Sequence, residues 1–311
     1  MSNEAQIVSV NISTRKGTIK EPVEAVEIDD QGIAGDAHAG PWHRQISLLA
    51  QESIDRFCEK TKSSFPPGAF AENITTRGID LSTVRLLDRF RIGDVELELT
   101  QIGKKCHGDN CAVYREVGKC VMPKEGIFCR VLRPGTIRPG DRVDYFPRIW
   151  KFRLITLSDR AHRGEYTDRS GPRIEKLVGE FAESKNIQTD IQKSVLPDDA
   201  DRLLAELSAA KNDGVDVVFT TGGTGVGPRD ITPEVVTSFC EKTIPGIMEA
   251  IRVKYGAEKP NALLSRSVAG VSGRMLVFAL PGSVKAVGEY LAEIEKTLEH
   301  LLLMLHGLDV H

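Results

Sequence analysis

The chain has 311 residues, of which 41% are apolar and 27% charged, and it carries a net charge of −3. That is room for about two domains of ordinary size, each able to bury a core; acids and bases balance in both halves, which argues against a nucleic-acid-binding module or a charged tail. The apolar run at residues 301–305 is too short to span a bilayer, and the first ten residues lack the basic start and apolar core of a signal peptide, so a cytoplasmic protein with no membrane partner is expected.

In the first half, alternating apolar and β-branched residues predict strands over 7–12, 23–28, 91–100 and 127–132, with one helix over about 50–60. Turns fall at Gln31-Gly32, Arg77-Gly78, Ile92-Gly93, Pro134-Gly135 and Pro139-Gly140. Residues 1–148 are expected to form a mostly-β, barrel-like domain. Five of the six cysteines lie here: Cys58, Cys106, Cys111, Cys120 and Cys129. A chain with no secretion signal needs no disulfide framework, so the cluster is either chemistry or small buried hydrophobes. Cys106 has the strongest chemical setting. Lys104, Lys105 and His107 flank it, and cations favour the thiolate, the nucleophilic and metal-binding form. Cys111 and Cys120 compete for that role, while Cys129, inside a strand, reads as structural. Cys106, His107, Cys111 and Cys120 lack the paired Cys-x-x-Cys of a zinc site. His38 and His43, near Asp36, read as hydrogen-bonded loop residues.

The pattern changes near Pro147, across a junction with no Gly/Ser spacer. From Phe152 strands and helices alternate: strands over 152–157, 215–221 and 275–280, helices over 170–184, 201–211 and 284–305. This predicts a three-layer α/β domain with a mainly parallel sheet over residues 149–311. The strongest local signal runs from Thr220 to Asp230. Gly222, Gly223, Gly225 and Gly227, with Thr221 and Thr224, follow a buried strand and precede Thr232-Pro233-Glu234, a helix start. Glycines there let backbone amides approach an anion, and the helix N-terminus favours negative charge. No Gly-Lys-Ser/Thr follows, so this is not a Walker loop. Asp230 beside a phosphate site calls for an intervening cation, Mg²⁺ by its oxygen chemistry, or else it merely starts a helix. Asp198, in a loop before a helix, taken alone reads first as a cap. Ser158-Asp159-Arg160 and Pro281-Gly282-Ser283 follow two further strands, where ligands of open parallel sheets collect.

The second half resembles the molybdopterin adenylyltransferase family (MogA/MoaB type). The residues that carry this are Ser158-Asp159-Arg160, Asp168-Arg169-Ser170-Gly171-Pro172, the loop from Thr221 to Asp230, Ile244-Pro245-Gly246, Leu264-Ser265-Arg266 and Leu280-Pro281-Gly282. The resemblance implies that the terminal phosphate of molybdopterin attacks the α-phosphorus of ATP and pyrophosphate leaves. It places the family's two acidic residues on Asp198 and Asp230, as catalytic Mg²⁺ ligands, and includes Ser265 and Arg266 in the binding set. Arg266 or Arg229 offsets charge; spacing does not choose between them. A homo-oligomer, a trimer by preference, is also implied. Ala279 and Val284 stand where many members carry Asn and Pro, closer to the MoaB branch, and the competing reading is a non-catalytic cofactor carrier.

The first half resembles a MOSC domain through Gly32 to Gly40, Arg44 to Leu49, Gly68 to Ile74, Phe90 to Gly93, and Val131-Leu132-Arg133-Pro134-Gly135 with Gly140-Asp141. This implies cofactor binding, sulfur handling or delivery to molybdoenzyme clients. Cys106 best matches the reactive cysteine at a strand end, with molybdenum as its conceivable metal. The two resemblances point independently to molybdenum-cofactor biosynthesis.

Overall fold

The computed structural model describes residues 4–104 and 120–308. By internal contact the chain divides into two units, Met1–Arg148 and Ile149–His311.

The strands of the first unit are β1 (Gln6–Ile12), β2 (Glu21–Val23), β3 (Val26–Asp29), β4 (Gly32–Ile33), β5 (Ile46–Ala50), β6 (Ile74–Arg77), β7 (Arg89–Ile92), β8 (Val95–Ile102), β9 (Ile127–Arg133), β10 (Gly135–Ile137) and β11 (Asp144–Phe146). Eight form one mixed sheet in the order β11-β7-β8-β9-β5-β6-β1-β2; the other three form a small sheet, β10-β3-β4. The large sheet differs from an all-antiparallel barrel in that β5 and β6 run parallel. The segment leading into β11 is bonded to the start of β1, Ile7 N–H donating to Asp141 O at 2.9 Å and Val143 N–H to Ala5 O at 2.8 Å. Ile46, Leu48, Ile74, Phe90, Leu97 and Leu99 fill the core inside the sheet. The run expected as one strand over 91–100 is a hairpin: Ile92 pairs with Val95 around Gly93-Asp94, and Gly93 takes φ +57°. The helix Gln51–Thr61 falls where the sequence put it.

In the second unit, β12 (Ile149–Leu157), β13 (Gln188–Leu196), β14 (Val217–Thr221) and β17 (Met275–Leu280) run parallel, and β16 (Ala269–Ser272) and β15 (Lys242–Thr243) add antiparallel at one edge. The order is β13-β12-β14-β17-β16-β15. Neighbouring residues of a strand face opposite sides. Thus Ile155, Val218 and Val277 meet the helices Ala200–Asn212 and Thr232–Phe239 through Leu203, Leu207, Val235 and Val236. On the other face Phe152, Phe219 and Phe278 stack in a row, with centroids 6.4 and 5.3 Å apart. The helices Ser170–Lys185 and Val284–Leu305 pack against each other and against β12 and β17. The edge strand β13 escaped the sequence reading. QTDIQKSVL is polar and half exposed, and an edge strand needs no continuous apolar run. No helix of the described residues is long and apolar enough to cross a membrane.

Candidate functional site

The carboxyl ends of β12, β13, β14 and β17 lead into four loops, and hydrogen bonds join them. Ser158 N–H donates to Leu196 O at 2.9 Å, and Gly222 N–H to Leu280 O at 3.1 Å. The Thr221 hydroxyl donates to Pro281 O at 2.9 Å. Asp159 and Asp198 face each other: Asp159 N–H donates to Asp198 Oδ2 at 3.3 Å, and Asp198 N–H to Asp159 Oδ1 at 3.1 Å. Arg229, on the glycine loop, reaches Asp159 Oδ2 at 3.1 Å. The loops therefore form one acid-bearing rim around the ends of the parallel strands, where such sheets bind ligands.

At two glycines of this rim, among others, a side chain would strike its neighbours. Gly222 holds φ +102°, and a Cβ there would stand 2.3 Å from the backbone oxygen of Leu157. A Cβ on Gly225 would stand 2.7 Å from Asp230 Oδ2. The loop wraps the Asp230 carboxylate, which accepts from Gly227 N–H at 2.7 Å. Asp230 does not cap a helix; the next helix starts at Thr232 with Ile231 as its N-cap residue.

The structure separates residues that spacing left equivalent. Asp199, not Asp198, caps the helix Ala200–Asn212 by accepting from Arg202 N–H at 2.9 Å. That leaves Asp198 directed at Asp159. Arg266 is a loop clamp: Nε donates to Gly225 O at 2.6 Å, Nη2 to Asp230 O at 2.8 Å, and Nη1 pairs with Glu234. That hydrogen bond also holds the Glu234 carboxyl below its usual range. Arg229, by contrast, has a side chain 77% exposed and a single ion pair among the described residues. Among the binding candidates, Ser158 and Ser283 use their hydroxyls as helix caps, accepting from Ala161 N–H and Ala286 N–H. Ser265 exchanges a hydrogen bond with Ser267 at 2.8 Å, and Thr224 is buried. Gly223 takes φ +62°, and a Cβ on Gly282 would meet the Gly222 Cα at 3.4 Å. Asp168, quoted only as part of a motif, ties Thr156 to the start of Ser170–Lys185 by accepting from the Thr156 hydroxyl and from Ser170 and Gly171 N–H.

No hydrogen bond or ion pair among the described residues joins Asp230 to Asp198. No group of three or more His, Cys, Asp or Glu among them is placed to hold a metal alone. The donors at the rim are carboxylate oxygens. That set fits a hard cation completing its shell with phosphate oxygens, as Mg²⁺ does, and does not suit a soft metal.

The first unit has a second candidate, a cavity of about 430 Å³. Lys16 and Arg44 lie over the Trp42 ring, 5.9 and 4.7 Å from its centroid, and Lys104 lies 5.8 Å from that of Phe128. Ser47 and Asn73 line it and bond to each other, the Ser47 hydroxyl donating to Asn73 Oδ1 at 2.9 Å. His38 and Cys120 also line it, and no Asp or Glu does among the described residues. Behind His38 lies a buried ion pair, Lys20 with Asp36. Burial opposes charge on both partners. It holds the Lys20 ammonium below its usual range, whereas the hydrogen bonds that Asp36 accepts from its neighbours outweigh burial and hold the carboxyl low. Glu72, fully buried nearby, has its carboxyl pushed up by burial. Lys16 and Lys20 come from one segment, Trp42 and Arg44 from a second, and Lys104 and Phe128 from two more, so no local spacing groups the whole set. Cys129 is fully buried on β9, and burial pushes its thiol far up. Cys106, Cys111 and His107 lie outside the described residues.

Residues 153–300 match the family model described as a probable molybdopterin binding domain, and residues 35–144 match that of the MOSC domain. The chain is 37% identical over 161 residues to the molybdopterin adenylyltransferase of Pyrococcus furiosus, covering 50% of this chain and 91% of that one. It is 36% identical over 156 residues to the molybdenum cofactor biosynthesis bifunctional protein of Synechococcus elongatus (50% of this chain, 47% of that one). The Drosophila melanogaster molybdenum cofactor synthesis protein cinnamon is 36% identical over 151 residues (48% and 24%). The chain thus spans about half of one of these longer relatives and about a quarter of the other.

Proposed function

We propose, from the premise that the chain belongs through its second unit to the molybdopterin adenylyltransferase family, that it transfers the adenylyl group of ATP to the terminal phosphate of molybdopterin and releases pyrophosphate. The observation that carries this is the joined rim at the ends of the parallel strands, with a glycine loop, paired acids and one exposed arginine. The transfer asks for alignment of two polyanions and neutralisation of charge, with little covalent work from the protein. Amides of Gly223, Thr224 and Gly225 hold phosphate oxygens, while that of Gly222 is engaged by Leu280 O and keeps the loop against β17. Arg266 keeps that loop in shape. Arg229 leaves Asp159 to meet charge developing on the phosphates. Asp198 and Asp230 are the residues that would hold Mg²⁺, which when bound offsets charge between the phosphoryl group and the departing pyrophosphate.

The first unit receives the anionic cofactor in its cavity, where Lys16, Arg44 and Lys104 meet phosphate and Trp42 and Phe128 offer aromatic faces. Cys106 remains the proposed sulfur or molybdenum ligand of this unit. The second unit self-associates as a trimer. Val253, Leu263 and Leu264, on adjoining turns of its surface, are 72%, 55% and 60% exposed, and such a patch favours burial against a second copy. Pyrophosphate release from ATP tests the catalytic reading. It should require molybdopterin and fall by orders of magnitude in Asp198→Asn. Tight pterin binding without any release would instead establish the carrier reading.

A further inference from the structure

The His38 ring faces the cavity of the first unit on one side and a buried charge pair on the other. Its Nδ1 lies 3.3 Å from Lys20 Nζ, in hydrogen-bond alignment, and 3.4 Å from Asp36 Oδ1. Two arrangements compete. Either Nδ1 accepts a proton from Lys20, or Nδ1–H donates to Asp36. The surrounding bonds decide between them. Asp36 Oδ1 already accepts the His38 backbone N–H at 2.9 Å, and Oδ2 takes both Lys20 and Ser13 N–H. Lys20, 2% exposed, carries three N–H groups, and its contacts among the described residues are Asp36 Oδ2 and His38 Nδ1. A buried ammonium proton without an acceptor is costly, and Lys20 Nζ is aligned on Nδ1, whereas the ring's 3.4 Å approach to Oδ1 is an ion-pair contact and not a hydrogen bond. Lys20 therefore donates to Nδ1, and the one proton of a neutral imidazole sits on Nε2.

We infer that Lys20 is a positioning residue that locks His38 as the Nε2–H tautomer, so that His38 donates a hydrogen bond to a phosphate oxygen of the cavity's ligand. The inference rests on the reading of this cavity as an anion site. His38 belongs to the same wall as the cations: the Trp42 indole N–H donates to His38 O at 2.8 Å, and Lys16 and Arg44 lie over that indole. The cations supply long-range attraction. The fixed Nε2–H supplies direction, since a ring with its proton on Nδ1 would turn a lone pair towards the anion.

The full chain and inorganic phosphate suffice for the test. Long-range ¹H–¹⁵N correlation spectra at pH 8, with His38 assigned through its loss in His38→Gln, should show the Nε2–H pattern. Lys20→Met should flip it to Nδ1–H, now donating to Asp36. Phosphate binding is read at the Trp42 indole N–H, one of only two indoles in the chain. His38→Gln, whose amide can place a donor near the former Nε2, should bind within about threefold of the unaltered chain, and His38→Ala about tenfold more weakly. An Nδ1–H tautomer in the unaltered chain, or equal affinity in the Gln and Ala variants, overturns the inference while leaving the anion site standing. No movement of the Trp42 signal at any phosphate concentration overturns the anion site and the inference with it. Should Lys20→Met not fold, the unaltered chain's tautomer and the Gln/Ala pair still decide.

Discussion

Arg266 and Arg229 are the sharpest test of how the rim is built, because the structure assigns them opposite duties. In Arg266→Ala, the bonds to Gly225 O and Asp230 O and the pair with Glu234 are lost. A hydrogen bond to a charged group contributes about 1.5–3 kcal/mol when buried. Arg266 is 36% exposed, so screening and replacement by water reduce three such contacts to about 2 kcal/mol together. For a unit of this size that lowers the midpoint of unfolding by about 4–8 °C. Arg229→Ala removes one ion pair from a side chain that is 77% exposed, and stability should change by less than about 0.5 kcal/mol. Turnover should separate the other way. Arg229→Ala should reduce kcat roughly a hundredfold, as for loss of a donor to developing charge. Arg266→Ala should chiefly raise KM for ATP through a loosened phosphate loop. A Trp42→Phe background leaves Trp150, buried in the second unit, as the only indole to follow its unfolding. An Arg266→Ala chain of unchanged stability and abolished turnover would refute the clamp and make Arg266 the substrate-facing cation.

Asp230→Asn should keep the fold and reduce adenylylation by orders of magnitude at equal Mg²⁺; full activity there removes Asp230 from the metal role. Gly225→Ala should be nearly as damaging, because the new Cβ strikes the Asp230 carboxylate, and a crystal structure should show that carboxylate displaced. Site-resolved alkylation followed by mass spectrometry should find Cys106 modified fastest and Cys129 last. Burial and the neighbouring Glu241 push the Cys240 thiol up to about 11, so its alkylation should keep rising about tenfold per pH unit from pH 8 to 10. Light scattering should report a trimer, and Leu264→Glu should break it; a monomeric unaltered chain would count against self-association.

Legibility in the sequence followed how local each signal is. Continuous β-branched or apolar runs such as Val217–Thr221 and Met275–Leu280 announce buried parallel strands, and the glycine loop between β14 and Thr232 is visible for the same reason. β13 was invisible because an edge strand alternates weakly. The cap of Ala200–Asn212 fell one residue from Asp198, and only the fold shows that Asp199 takes that duty. Arg229 and Arg266 are equivalent as letters; their difference is three hydrogen bonds against one. The cationic cavity of the first unit assembles from segments between Lys16 and Phe128, which no spacing rule reaches.

The most direct measurement is the mass of the pterin product. The full chain, incubated with ATP, Mg²⁺ and molybdopterin, should convert molybdopterin to a species heavier by one adenylyl group, with one pyrophosphate released for each. Molybdopterin recovered unchanged from a chain that binds both substrates would contradict the account.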